Sequence, residues 1–381
     1  MTESPVLFRT ESCGGGDGLE FGDMAMLAVG IEPDDATFRP QIGVVTLNRP
    51  KQLNALTLEM CSLMLSQLTA WASDDAIVAV VLQGAGEKGF CAGGDVAEVI
   101  RNVRAGGETR FDYGDEFFTV EYALDLLIHQ FPKPIVALSH GVCMGGGLGL
   151  IAGASHRVFA TNSKIAMPEI HIGLFPDVAG GYFLNQLRDG AGLLMALTGH
   201  LITADDALSV GLAEHVIEWE TMQAAVDAMT RATWSNDPVQ NHLMLSALFE
   251  DRAVPTNDSE LAKRADATRG LTATGSAPEF RDQLVALAES DAYFSSAAKN
   301  LLQGSPTAAH VSFEYLRRSK DRTVDDVLAL DLILAKQFQR HHDFTEGVRA
   351  LLIDKDKAPK WSPASWADVS PKLIHAHFSA I

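Results

Sequence analysis

HGVCMGGGLGL, residues 140–150, follows the short run IVAL at 135–138 and leads straight into an apolar stretch at 148–154. Three successive glycines after a strand let another molecule approach the backbone more closely than any side chain permits. A helix that starts there presents its first N–H groups, the positive end of its dipole, to whatever approaches. The arrangement has a precedent upstream: IVAVVL at 77–82 reads as a strand, and GFCAGGDVAEVI at 89–100 passes through Gly93, Gly94 and Asp95 into a helical pattern. Earlier still, IGVVTL at 42–47 is followed by the turn Asn48-Arg49-Pro50 and helical spacing over 57–71. Strand, turn and helix repeated in this way predict an α/β fold.

Beyond the second glycine-rich turn, residues 157–160 and 164–167 read as further strands. From about residue 190 helical periodicity dominates, over 193–198, 204–210 behind the N-cap candidate Thr203, 222–234 and 324–338. The organisation expected is a loosely ordered or edge-strand leader at 1–39, Gly- and Asp-rich and ending at Pro40. It is followed by an α/β core at 40–235 holding the functional site, and a mainly helical region at 236–381 packed on that core.

With 381 residues, 47% apolar and 21% charged, the chain has ordinary globular usage and ample length for a core. Its net charge of −19 opposes non-specific binding to nucleic acid or an anionic membrane. A polyanionic ligand would therefore need locally placed cations or amide dipoles. Cys13, Cys61, Cys91 and Cys143 form no CxxC pair, which suits a reducing compartment. The N-terminus, MTESPVLFRTESCGGGDGLEF, has early acids, no apolar stretch of signal length and no Arg-rich bias, so a cytoplasmic protein is expected. No segment reaches the roughly 18 uninterrupted apolar residues of a membrane span.

Two peptide N–H groups converging on one point are what a carbonyl needs as it becomes an oxyanion, each worth roughly 3–4 kcal/mol of barrier. Glycine clusters are also ordinary turns, and residues 147–152 loosely fit the dinucleotide form G-x-G-x-x-A. Against that form, too few residues separate the turn from the next strand for a crossover helix, and no Walker Gly-Lys-Ser/Thr ending is present. Ser139-His140 has no third orienting group and no GxSxG elbow. His341-His342-Asp343 lacks a second ligand cluster, so no metal is expected. Cys91 and Cys143 read as small buried apolar residues.

The two turns, together with MPEIHIGLFPDVAGGYFL at 167–184, resemble the crotonase superfamily, and the GLFPDVAGGYFL form resembles its 3-hydroxyisobutyryl-CoA hydrolase branch. LNRPKQLNALT at 47–57 looks like the family's first CoA-contacting loop, and HHDFTEGVRALLIDKDKAPKW at 341–361 like the branch's C-terminal segment, so the likeness covers roughly 40–380. The resemblance implies a crotonase spiral of ββα units followed by a helical C-terminal region. It implies an acyl-CoA substrate with no cofactor beyond the CoA it carries, and a homo-oligomer, commonly a trimer or hexamer. By the same resemblance, the amides of Gly94 and Gly146 are the oxyanion donors. The backbone of Gln52, Asn54, Ala55, Ala92, Gly93, Asp95 and Gly145 borders substrate, and Lys51 is the nearest cation for a CoA phosphate.

Hydratases of the family carry two glutamates, one placed two residues after the triple glycine and one in the Pro-Glu pair. Here those positions are Gly149 and Glu169. Adding water across a double bond needs an acid and a base there, so the loss of one speaks against hydration. Asp177 stands instead where the hydrolase branch has its aspartate, and Glu121 matches a substrate-contacting glutamate of that branch. The implied activity is hydrolysis of a short 3-hydroxyacyl-CoA, 3-hydroxyisobutyryl-CoA in valine catabolism, with Glu169 as nucleophile or general base. An enoyl-CoA hydratase or isomerase and a non-catalytic CoA-binding subunit are the competing readings.

Overall fold

The computed structural model describes residues 4–14, 39–255 and 258–381. In chain order its strands are β1 (Val6–Ser12), β2 (Gln41–Leu47), β3 (Ile77–Gly84), β4 (Gly89–Cys91), β5 (Ile135–Ser139), β6 (Val142–Met144), β7 (His156–Ala160), β8 (Lys164–Ala166) and β9 (His215–Ile217). Strands β2, β3 and β5 are buried almost throughout. They read as continuous apolar runs because a parallel sheet is covered on both faces. Neighbouring residues face opposite sides: Val45 joins the principal core, and Val44 joins a second core closed by the helices Met222–Arg231 and Pro238–Glu250.

The main sheet has the order β1-β2-β3-β5-β7-β9, parallel except for β1, which runs antiparallel to β2 with Val6 opposite Leu47. Part of the leader is therefore an ordered edge strand rather than loose chain, because β2 offers it a free row of backbone partners. Residues 15–38, which include most of the Gly- and Asp-rich stretch, lie outside the described residues. Strand β9 is absent from the sequence reading, since three residues are too few to show a period.

A second sheet, order β4-β6-β8, is parallel throughout. Each unit thus places one strand in the large sheet and the next in the small one before continuing; helices α2 (Val96–Ala105) and α4 (Gly146–Ala152) complete the second and third units. The first unit runs directly into α1 (Leu58–Ala72), and Leu56 supplies only a single parallel bridge to Gly94. This is the crotonase spiral expected from the sequence. Its consequence is positional: with Cys91 beside Cys143 and Met144 beside Ala166, the chain segments leaving β4, β6 and β8 emerge side by side.

The C-terminal helices close the same core. The Phe175 ring stacks on Phe338 of the helix Val324–Phe338 at 5.4 Å and meets Tyr315 of Pro306–Ser319 edge-on at 5.0 Å. Between the two glycine turns runs α3 (Asp112–His129), with Phe118, Glu121, Tyr122 and Asp125 on its buried side. No helix among the described residues is long and apolar enough to cross a membrane.

Candidate active site

The first turn is stitched to the loop before α1 at alternate residues. Leu56 N–H donates to Gly93 O at 2.9 Å and Asp95 N–H donates to Leu56 O at 2.7 Å, so the intervening Gly94 N–H is skipped. In the second turn Gly145 adopts φ 51°, ψ −124°, a conformation open to glycine alone, and Gly146 is the first residue of α4. The Gly146 N–H is one of the amides that a helix start leaves unpaired, and neither it nor that of Gly94 meets an acceptor among the described residues. The two are neighbours: a Cβ built on Gly146 would stand 3.3 Å from Gly94 N.

Three carboxyls converge on these amides. Glu121 Oε1 lies 2.7 Å from the point a Gly146 Cβ would occupy. Glu169 begins a short turn, Glu169–Ile172, after Pro168; its Oε1 lies 2.6 Å from the corresponding point on Gly145, and its Oε2 has no hydrogen-bond partner. Asp177 precedes two non-glycine residues of positive φ, Val178 and Ala179, and accepts from Tyr122 OH at 2.7 Å. The cavity between them, about 210 Å³, is lined by Ala92, Gly93, Gly94, Glu121, Gly145, Gly146, Glu169 and Asp177, with apolar walls from Phe118, Val178, Leu351 and Leu352.

Four of the residues expected beside substrate do not line this cavity. Gln52 is exposed. Asn54 is fully buried and structural: it accepts from Arg49 N–H and donates to Ala85 O and Gly89 O, which fixes the loop. Ala55 O accepts from the Arg49 guanidinium at 2.5 Å, and Asp95 pairs with the same guanidinium at 3.2 Å. The loop is therefore braced through side chains, and its outer backbone alone faces away from that bracing. Lys51 is exposed in the same turn. His341 lies in the turn between the helices Val324–Phe338 and His342–Val348, its N–H donating to Phe338 O at 3.1 Å, and no metal-binding cluster occurs among the described residues. Cys91 and Cys143 are buried free thiols, as read.

The acids are more numerous than the sequence reading held. Asp125, one turn beyond Glu121 on α3, is fully buried with neither oxygen partnered. Asp331, on the helix Val324–Phe338, is fully buried and accepts from Ala179 N–H at 2.8 Å. Asp331 was legible as a lone acid on an otherwise apolar helix face, and Asp125 as a second acid one turn from Glu121. Tyr122 had no signal beyond its place next to Glu121, and Leu351 and Leu352 none beyond lying in the 341–361 segment that resembles the branch.

Burial dominates the titration of this cluster. It pushes the Glu169 carboxyl well above its ordinary value, reinforced by the charge of Asp177. Glu121 is raised likewise, by burial first and then by Asp177, Asp125 and Glu169. Burial lifts Asp177 only to about 6, because the Tyr122 hydroxyl and a backbone N–H stabilise its charged form. Asp177 is thus the acid that ionises first, and its charge holds protons on its neighbours.

Asp125 is also raised well above its ordinary value, by burial and then by Asp177 and Asp331. A raised folded-state pKa means the folded chain keeps a proton that the unfolded chain has released. Stability is then full below the unfolded carboxyl pKa of about 4 and is lost as pH rises toward the folded value, by up to about 1.4 kcal/mol per pH unit for each such group. Asp125→Asn should flatten that decline. Denaturant unfolding at pH 5 and pH 8 reads it: wild type loses stability across the interval and the variant loses less, whereas equal losses would contradict a protonated Asp125.

Gly149 faces Asp125 and Val178. A Cβ there would stand 2.6 Å from Val178 Cβ and 3.1 Å from Asp125 Oδ1, so the space a glutamate would need is already filled. Gly149→Glu should cost roughly 2–4 kcal/mol of stability, by overpacking and by burial of a further acid. Thermal unfolding checks this, and an unchanged midpoint would show that the site is roomier than the packing indicates.

Comparison with known proteins bears on the same features. The family model described as Enoyl-CoA hydratase/isomerase matches residues 42–378. The chain is 36% identical over 89% of its length to the mitochondrial 3-hydroxyisobutyryl-CoA hydrolase of Danio rerio, covering 87% of that protein. It is 34% identical to the Homo sapiens protein of the same name, over 89% of this chain and 86% of that one. Those relatives are mitochondrial by name, against the cytoplasmic expectation drawn from N-terminal composition. Among solved structures, a carnitinyl-CoA dehydratase from Mycobacterium thermoresistibile superimposes with TM-score 0.80 at 32% identity, over 89% of this chain and 94% of that one. An enoyl-CoA hydratase from Rhodobacter sphaeroides gives 0.78 at 32%, over 89% and 95%. Spiral, paired glycine turns and sequence agree along nearly the whole described chain: it belongs to the enoyl-CoA hydratase/isomerase family.

Proposed function

We propose that this protein hydrolyses a short 3-hydroxyacyl-CoA thioester, most specifically 3-hydroxyisobutyryl-CoA, to the free hydroxy acid and CoA, a step of valine breakdown. The observation that carries the reading is Glu169: a buried carboxyl with one oxygen unpartnered, beside two unpaired amides, in a site with no room for a second glutamate at 149. The thioester carbonyl oxygen sits between the Gly94 and Gly146 N–H groups, which stabilise the charge that develops there. Ionised Glu169 then either attacks the carbonyl carbon, expelling the CoA thiolate and leaving an anhydride that water opens, or takes a proton from water that attacks directly. In the first route the thiolate takes a proton from a protonated neighbouring acid, which is restored from the water that opens the anhydride; in the second it takes the proton that Glu169 removed from water. Asp177, oriented by Tyr122, faces the 3-hydroxyl or the attacking water.

The hydrolase names of the curated relatives support this choice, while the structural neighbours are named for hydration and dehydration. A free-thiol assay over a small panel of acyl-CoAs, run beside crotonyl-CoA hydration, separates the readings. Thiol release from 3-hydroxyisobutyryl-CoA is the expected result. Hydration without thiol release would favour a hydratase, and CoA binding with neither reaction a non-catalytic subunit. Discrimination from 3-hydroxypropionyl-CoA should be modest, since one methyl is worth about 1–3 kcal/mol.

A further inference from the structure

A cavity of about 210 Å³ takes an acyl group and its thioester but not the nucleotide of CoA. The phosphates must lie outside its mouth, on a chain whose net charge is −19. Leu351 and Leu352 form one lip of that mouth, and Leu352 is 41% exposed. They belong to the wide helical turn Arg349–Ile353, and the chain leaving it reads DKDKAPK, residues 354–360.

Acids and lysines alternate in that segment, and the fold sorts them. Arg349 gathers the carboxylates: Glu346 at 2.8 Å, Asp354 at 2.9 Å and Asp356 at 2.6 Å. The backbone is pinned as well, with Lys357 N–H donating to Ala350 O, Ala358 N–H to Asp356 and Lys360 N–H to Glu346. Lys355 and Lys357 adopt left-handed backbone, φ 59° and 56°. That conformation costs a non-glycine residue about 1–2 kcal/mol, and such strain collects at functional sites. Lys355, Lys357 and Lys360 are exposed, and among the described residues none has a carboxylate oxygen within 4 Å in an ion pair. One guanidinium thus holds three carboxylates together, and residues 346–360 carry four cations against three acids, a local excess of one positive charge on an acidic chain, with three exposed ammonium groups in the segment that follows the pocket's Leu351 and Leu352.

We propose that Lys355, Lys357 and Lys360 are the subsite that receives the phosphates of the nucleotide end of the thioester. The inference rests on the acyl-CoA reading of the pocket and assigns the polyanionic half of that substrate to a segment over 300 residues from Lys51, the cation that the sequence offered.

The test compares one acyl group carried on CoA and on pantetheine, which lacks the phosphates, in wild type, Lys355→Ala/Lys357→Ala and Lys51→Ala. The double variant should raise KM for the CoA thioester roughly tenfold, with kcat nearly unchanged. Its KM for the pantetheine thioester should stay at the wild-type value, and the dependence of the CoA KM on ionic strength should weaken. An equal rise for both carriers would overturn the subsite in favour of a packing role, as would no rise for either. An effect confined to Lys51→Ala would move the subsite to the turn Pro50–Gln52. If wild type turns over neither thioester, the proposed reaction fails on its own account. Calorimetric binding of free CoA against pantetheine then still reads the lysines, and unchanged CoA affinity in the double variant would sink them.

Discussion

Glu169→Gln should lower kcat for thioester hydrolysis by about three orders of magnitude, the middle of the range for a lost general base and beyond what a structural carboxyl would cost. Glutamine matches glutamate in shape, so the turn Glu169–Ile172 and the amides beside it keep their positions and KM should change by less than roughly threefold. The pH profile adds a sign. Burial and the Asp177 charge raise the Glu169 carboxyl well above its ordinary value. The catalytic form is the ionised one, so the wild-type rate should climb with pH through a limb displaced above the usual carboxylate range. In the glutamine variant the residual rate should lose that limb. Rates measured from pH 5 to 9 by thiol release check both points. Wild-type-like turnover in the variant would remove Glu169 from the chemistry.

The second large effect is expected at Gly146. Its backbone is ordinary helix, so alanine is tolerated by the fold, yet the added methyl would stand 2.7 Å from Glu121 Oε1 and 3.3 Å from Gly94 N. It would fill the space between the two unpaired amides that the carbonyl oxygen is proposed to occupy. Barring the carbonyl from one such donor should cost about as much as losing it, about 10²–10³-fold in kcat, and Gly146→Ala should fall in that range with a small change in thermal midpoint, since the atom the methyl meets ends the Glu121 side chain. Gly145→Ala is a poorer probe, because φ 51° with ψ −124° strains any side chain and confounds folding with catalysis. Activity of Gly146→Ala within twofold of wild type would show that this amide does not meet the reacting carbonyl.

Much of the architecture was readable because it is local. The runs at 42–47, 77–82 and 135–138 are strands because they are β-branched and apolar without alternation, which only a strand covered on both faces can use. Thr203 caps its helix as read, with Asp206 completing a capping box, and the bounds 324–338 were legible from periodicity. The leader was readable only as loose chain or an edge strand and β9 not at all, since what makes β1 and β9 strands is a neighbouring row of backbone groups rather than their own pattern.

The site divides in the same way. Residue chemistry marked the glycine turns, because backbone access is a property of residue type, whereas Glu169 and the missing partner at 149 stood out only through the resemblance to the family. Tertiary structure decided which of these meet. Parallel pairing of β4, β6 and β8 sets three remote turns side by side, and α3 lays Glu121, Tyr122 and Asp125 across them. It also decided their charge. Glu169 is an ordinary acid in the unfolded chain and a proton-holding one in the folded chain, because desolvation and the nearby Asp177 exist only once the core has closed around both.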